Sequence, residues 1–237
     1  MNRQAQAVLL CLVGAAVLYA EVTGLYLRYV KPGLGPLLIA AGIVLIVAAI
    51  ATAWYELRKP SHPRDQHGHR EPRVSWLLIL PLFALILVSP PALDSYSAMR
   101  TGTALPPPWV TVAALPTELP LRVSVVNYAD RAVYDRGRSL GGRPVTISGF
   151  VSFDRDGTVY LIRMLLSCCA ADAQPVKVGL SGQIPPVLQP DSWLEVTGSY
   201  ADRQATDPVN AGVIPFINVT AARPIPAPTD PYESWGS

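Results

Sequence analysis

Two adjacent cysteines and an aspartate form the most reactive string in the chain. It reads Arg163-Met164-Leu165-Leu166-Ser167-Cys168-Cys169-Ala170-Ala171-Asp172-Ala173. Only three cysteines occur in 237 residues, too few for a disulfide scaffold, so a vicinal pair stands out. Thiolates are soft donors that suit zinc or copper(I). Neighbouring thiols can instead close a strained vicinal disulfide, which would act as a redox switch. Asp172 offers an oxygen ligand or a hydrogen bond, and Arg163 a positive charge that would lower a thiol pKa. The plainer reading is that the thiols fill the interior of a domain and Asp172 caps a turn. Cys168, Cys169 and Asp172 do not complete a metal site. Residues 94–237 contain no histidine, so a further ligand must be a carboxylate, water or a partner's group. Cys11 lies in an apolar stretch apart from the pair.

A second candidate is the string Ser61-His62-Pro63-Arg64-Asp65-Gln66-His67-Gly68-His69-Arg70-Glu71. It holds all the histidines, His62, His67 and His69, interleaved with Asp65 and Glu71. Imidazole and carboxylate suit zinc-like ions. Against this, H-x-H is a weak signal, and Arg58, Lys59, Arg64, Arg70 and Arg73 would repel a cation; the competing reading is a solvated loop that sets topology. Glu21 is the only acidic residue within an apolar span. An intramembrane carboxylate is a functional candidate by default, yet Tyr19, Tyr26 and Tyr29 around it read as an interfacial aromatic belt. The chain has no phosphate loop, G-x-S-x-G or H-E-x-x-H. A Ser/His/Asp arrangement also fails in the second half, which lacks a histidine base. The expectation is a non-enzyme.

The elements that would position these residues follow from composition. The chain is 50% hydrophobic but only 15% charged, against about 25% charged in ordinary globular proteins. Residues 1–93 carry eight Lys/Arg against four Asp/Glu, and residues 94–237 eleven against thirteen. The first part contains three apolar segments, at about Ala5–Leu27, Leu34–Tyr55 and Val74–Leu93. A span needs about 20 apolar residues, and the third segment should kink at Pro81. Residues 1–93 thus read as three transmembrane helices with a loop at 56–73. The basic loop and Arg3 place the N-terminus and that loop in the cytoplasm and the C-terminal domain outside the cytoplasmic membrane. The first segment reads as an uncleaved helix, since its apolar stretch exceeds a signal-peptide core.

Residues 94–120 read as a proline-rich spacer, 121–222 as a domain and 223–237 as an extended tail. A helix is expected over Tyr128–Leu140, capped by Asn127 and stopped at Gly141-Gly142. Period-two patterning then predicts strands at Pro144–Val151, Thr158–Leu165, Pro175–Leu180, Trp193–Tyr200 and Val213–Thr220, with an Asp154–Gly157 hairpin turn. Gly149 and Gly198 lie mid-strand, where a coiled barrel bends, and Pro215 suggests an edge or a bulge. The fold class is therefore α+β: N-terminal membrane helices followed by a five-stranded OB-like barrel. The slightly acidic domain argues against nucleic acid as a partner.

Gly149-Phe150-Val151, Arg163 with Cys168-Cys169-Ala170-Ala171-Asp172-Ala173, and Pro231-Tyr232-Glu233 resemble the YcgQ-like family of bacterial membrane proteins. The resemblance implies an OB-like domain on short membrane helices and, as partner, a multi-helix membrane permease. The expected function is a non-catalytic accessory subunit of that permease, with zinc or another metal ion handled at Cys168 and Cys169. The competing readings are an assembly module that binds a protein partner through its barrel, and a membrane-tethered vicinal-thiol redox protein.

Overall fold

The computed structural model describes residues 3–58, 91–105, 115 and 120–234. They fall into two compact units. The first contains α1 (Arg3–Val22) and α2 (Gly35–Arg58). Both are long and apolar enough to cross a membrane. Their interface is built on glycine. A Cβ at Gly14 would lie 2.9 Å from the Gly42 carbonyl oxygen, and one at Gly42 would lie 2.8 Å from Leu18 Cδ2. Small residues of this kind let apolar helices approach closely where lipid removes the hydrophobic drive for packing. Leu37, Val44, Ile50 and Leu57 stand exposed on α2. The expected third span and the histidine loop fall in 59–90, outside the described residues except at Pro91–Leu93.

The second unit is residues 28–31 together with those from Ala92 onward. Its elements are α3 (Ser95–Arg100), β1 (Leu121–Arg122), α4 (Val125–Tyr134), β2 (Val145–Phe153), β3 (Val159–Leu165), β4 (Gln174–Gly182), β5 (Trp193–Thr206), β6 (Val213–Pro224) and β7 (Tyr232–Glu233). Strands β2-β5-β6-β4-β3 form one sheet that closes through β2–β3. Only β4–β6 is parallel among these five strands. The first barrel strand thus pairs with the second and fourth, and the third with the fifth, which is the OB connectivity the sequence predicts. The Asp154–Gly157 turn closes as expected, with Gly157 at φ 84° donating to the Asp154 carbonyl at 3.0 Å. A Cβ at Gly149 would lie 2.6 Å from the Ile162 carbonyl oxygen, so the β2–β3 crossing requires glycine. Gly198 sits at a register shift between β5 and β6, and a second shift lies between Ala201 and Gln204, opposite Pro215.

Strand alternation explains why so much of the barrel is buried. Val145, Ile147, Leu161, Leu165, Val176, Val178, Val196 and Ile217 fill one core. The alternate residues Phe150, Tyr160, Ile162 and Met164 join a second core with Ala98 and Tyr232. The described part of 94–120 is therefore more than a spacer. Its residues 92–105 pack against the barrel through α3, capped by Asp94, whose carboxylate accepts from Ser97 N–H at 3.2 Å. The tail is likewise more than extended chain, because β7 pairs in parallel with β3 at Met164 and Leu165.

The helix before the barrel differs from expectation. It starts at Val125, with Ser124 as its cap: Ser124 Oγ accepts from Asn127 N–H at 3.1 Å. Asn127 instead accepts from Arg131 Nε at 2.7 Å. The helix stops at Tyr134 because Arg136 and Gly137 take positive φ, and a 3-10 turn at Arg138–Leu140 follows. Residue type alone does not separate Ser124 from Asn127 as the cap, and the helix starts from the one three positions earlier.

Candidate functional site

Strand β3 ends at Leu165, and the chain turns through a 3-10 turn at Ala170–Asp172 into β4. The turn returns Asp172 to the residues that precede it. Its Oδ1 accepts from Ser167 N–H at 2.9 Å. Its Oδ2 accepts from Cys168 N–H at 2.8 Å and from Cys169 N–H at 3.3 Å. This carboxylate holds the vicinal pair in one shape, with Cys168 exposed, Cys169 half-buried and both thiols free. The two Sγ atoms lie 3.6 Å apart. One donor atom from each of Cys168, Cys169 and Asp172 lies within 4.8 Å of the others.

The electrostatics follow from this wiring. Burial opposes the charge on Asp172, but the Cys168 thiol and the three amides outweigh it and hold the carboxyl at about 2. The same carboxylate, then the Cys169 thiol, push Cys168 up to about 11. Cys168 is therefore a thiol at neutral pH and not an activated nucleophile. An ion that binds the Cys168 sulfur as thiolate must displace its proton.

The vicinal pair is also fastened from outside. Val30 and Cys169 form an isolated antiparallel bridge. Lys31 N–H donates to the Cys168 carbonyl at 3.1 Å, and Ala170 N–H donates to the Tyr29 carbonyl at 2.7 Å. Tyr232 Oη donates to the Arg28 carbonyl at 2.6 Å and accepts from Leu93 N–H at 3.1 Å. Next to it, the Glu233 carboxylate accepts from Val125 and Val126 N–H, each at 3.0 Å. It thereby occupies the N-terminus of α4, where a negative charge is favoured. The Glu233 carbonyl accepts from Leu166 N–H at 2.9 Å. Burial raises the Glu233 pKa, while Arg163 and the Val126 and Val125 amides pull it down.

Arg163 belongs to a different cluster. Arg163 Nε faces Glu233 Oε1 at 3.4 Å, its guanidinium stacks on Trp193 at 4.9 Å, and its Nη2 reaches the Tyr232 carbonyl at 3.4 Å. These contacts direct it to the tail, and no arginine contributes to the raised Cys168 pKa. Glu21 Oε1 would lie 2.8 Å from a Cβ at Gly35, the first residue of α2. His62, His67 and His69 lie outside the described residues. Cys11 is exposed on α1.

Sequence reasoning missed Lys177 and Asp207. They form a 2.7 Å ion pair with side chains 1% and 0% exposed. Lys177 Nζ also donates to the Thr101 carbonyl at 2.9 Å, and Asp207 Oδ2 accepts from Thr103 N–H at 2.9 Å. Ala104 N–H donates to the Pro175 carbonyl at 2.8 Å. A lysine inside the apolar run Pro175-Val176-Lys177-Val178-Gly179-Leu180 was the available signal. In an OB barrel the second and third strands present the usual ligand face. In this chain those strands are β3 and β4, and residues 92–105 pack on them.

No curated protein and no solved structure matches the chain. Residues 5–104, with the two apolar helices, match the DUF1980 N-terminal domain. Residues 117–233, from the approach to the barrel through the vicinal cysteines to Glu233, match the DUF1980 C-terminal domain. With both domains present in order over most of its length, the chain belongs to the DUF1980 family.

Proposed function

We propose that this chain is a non-catalytic, membrane-anchored accessory subunit that handles zinc or a similar ion through Cys168 and Cys169. Asp172 supplies an oxygen ligand or shapes the pair. The supporting observation is the 3.6 Å separation of the two sulfurs. Zn–S bonds of about 2.3 Å at a tetrahedral angle put two sulfurs about 3.8 Å apart, whereas a linear two-coordinate ion at the same bond length needs about 4.6 Å. The pair is thus set for one tetrahedral ion with small adjustment. The partner in this reading is a multi-helix permease, as the YcgQ-like resemblance implies. In this reading the two apolar helices and the expected Val74–Leu93 span supply the anchor, and a cytoplasmic 56–73 loop then implies a barrel outside the cytoplasm. His62, His67 and His69 would offer a second, cytoplasmic set of donors, and Glu21 a polar contact for a partner helix.

Zinc content of the purified full chain tests this reading. Dialysed against buffered zinc, the wild type should retain about one ion that Cys168→Ser/Cys169→Ser loses, while the two proteins melt at the same temperature when stripped of metal. Equal zinc in both proteins would overturn the metal reading. The assembly-module reading is favoured by the three amides that already engage Asp172. It expects the double variant to lose stability and the wild type to bind no zinc.

A further inference from the structure

We infer that the segment Arg28–Lys31 senses occupancy of the Cys168–Cys169 pair, so that ion binding at the thiols and docking of this segment are thermodynamically coupled. The inference rests on the metal reading above and adds its regulation. The segment begins at Arg28, the last residue of the short 3-10 turn after α1 (Leu25–Arg28), and ends just before the turn at Pro32–Leu34 that precedes α2. Its own backbone is nevertheless paired with the barrel unit.

The geometry gives the coupling its route. Docking uses the peptide groups of the ligand residues themselves: the Cys168 carbonyl accepts from Lys31 N–H, and Ala170 N–H, on the far side of Cys169, donates to the Tyr29 carbonyl. The Val30–Cys169 bridge lies between these two bonds. The same Cys168 and Cys169 amides are held from the opposite direction by Asp172. One stretch of backbone is thus shared between a three-donor cluster and a docked segment. An ion that draws the sulfurs from 3.6 Å to its own required spacing fixes the side-chain torsions of both cysteines. It thereby fixes the peptide between them. A peptide held in the docked shape binds the segment more tightly. By linkage, the docked segment must then raise ion affinity by the same factor.

Ala170→Pro isolates this bond. Ala170 is the first residue of its 3-10 turn, where proline is tolerated. Cys169, at φ −152° and ψ 170°, already has the extended backbone that a following proline demands. The substitution therefore deletes the donor to Tyr29 and leaves the turn and all three ligands in place. Ala170→Ser, which keeps the N–H, is the control. Full-length protein in detergent is titrated with zinc alone while hydrogen exchange is followed in peptides spanning 28–31 and 168–172. Zinc should slow exchange at Lys31 and Ala170 about tenfold, within the usual range of coupling factors. Ala170→Pro should bind zinc about tenfold more weakly and abolish the response at Lys31, with Ala170→Ser like wild type. Wild-type zinc binding with unchanged exchange, and equal affinity in Ala170→Pro, would overturn the coupling and leave the metal reading intact. Absence of zinc binding to the wild type would overturn both.

Discussion

Asp207 is the residue on which the covering of the barrel depends. Its carboxylate is fully buried against Lys177 and also accepts from Thr103 and Val209 N–H. Breaking such a pair leaves an uncompensated charge, at a cost of about 3–5 kcal/mol. Asp207→Asn should therefore lower the urea midpoint sharply. Lys177→Met/Asp207→Asn should recover part of the loss, since it removes the unpaired ammonium and keeps an amide oxygen to accept from the backbone N–H groups. Burial opposes ionisation of Asp207, but Lys177 and the amides hold its pKa below the usual aspartate value. The sign follows: a depressed carboxylate stabilises the fold above the unfolded-state pKa, and the benefit disappears as pH falls through the folded value. Wild-type stability should drop in that acid range, and the drop should be smaller in Asp207→Asn, as read by thermal melts across pH. The sequence announced only half of this pair. Lys177 breaks an apolar run and demands a partner, but nothing local to Asp207 points back across 30 residues. Cys168, Cys169 and Asp172 were legible for the opposite reason, since a five-residue span contains both the donors and the turn that gathers them.

At the scale of elements, strands were easier to read than their ends. Two-residue alternation persists through all five barrel strands because each has a face on one core or the other. The start of α4 lies earlier than expected: Ser124 offers a local cap as eligible as Asn127, and the contact that favours it comes from Glu233, over 100 residues away. Such a contact leaves no local pattern. Gly149 shows where strand packing constrains sequence most tightly. Gly149→Ala would place a methyl 2.6 Å from the Ile162 carbonyl oxygen, and backbone there has little room to give. The cost should be about 1–3 kcal/mol, the usual penalty for overpacking. A matching fall in denaturant midpoint with an unchanged m-value would check it. An unaltered midpoint would mean that β2 and β3 separate more easily than this contact implies.

For the whole molecule, the governing fact is how far apart in sequence the parts of the barrel unit lie. Arg28–Lys31, residues 92–105, α4 and β3 all meet at Tyr232 and Glu233. The Tyr232–Arg28 hydrogen bond spans 204 residues and the Tyr232–Leu93 bond 139. None of these contacts could be read from the sequence, because pairing over such distances imposes no period on either partner. A chain ending at Asp230 should keep the five-stranded sheet yet lose the Glu233 contacts at the N-terminus of α4, the partner of Arg163 and the anchor of Arg28. Its melting transition should shift down by many degrees and broaden, and proteases should cut near residues 28–31 and 92–105. An unshifted transition would show that β7 is dispensable. The placement of Tyr232 and Glu233 also has a consequence for synthesis. Arg28 is synthesised 204 residues before Tyr232 and must wait for it before their contact can form. Closure of this unit thus reports that translation has passed Glu233, and a product cut short before Tyr232 leaves Arg163 without its carboxylate partner and α4 without the Glu233 contacts at its N-terminus.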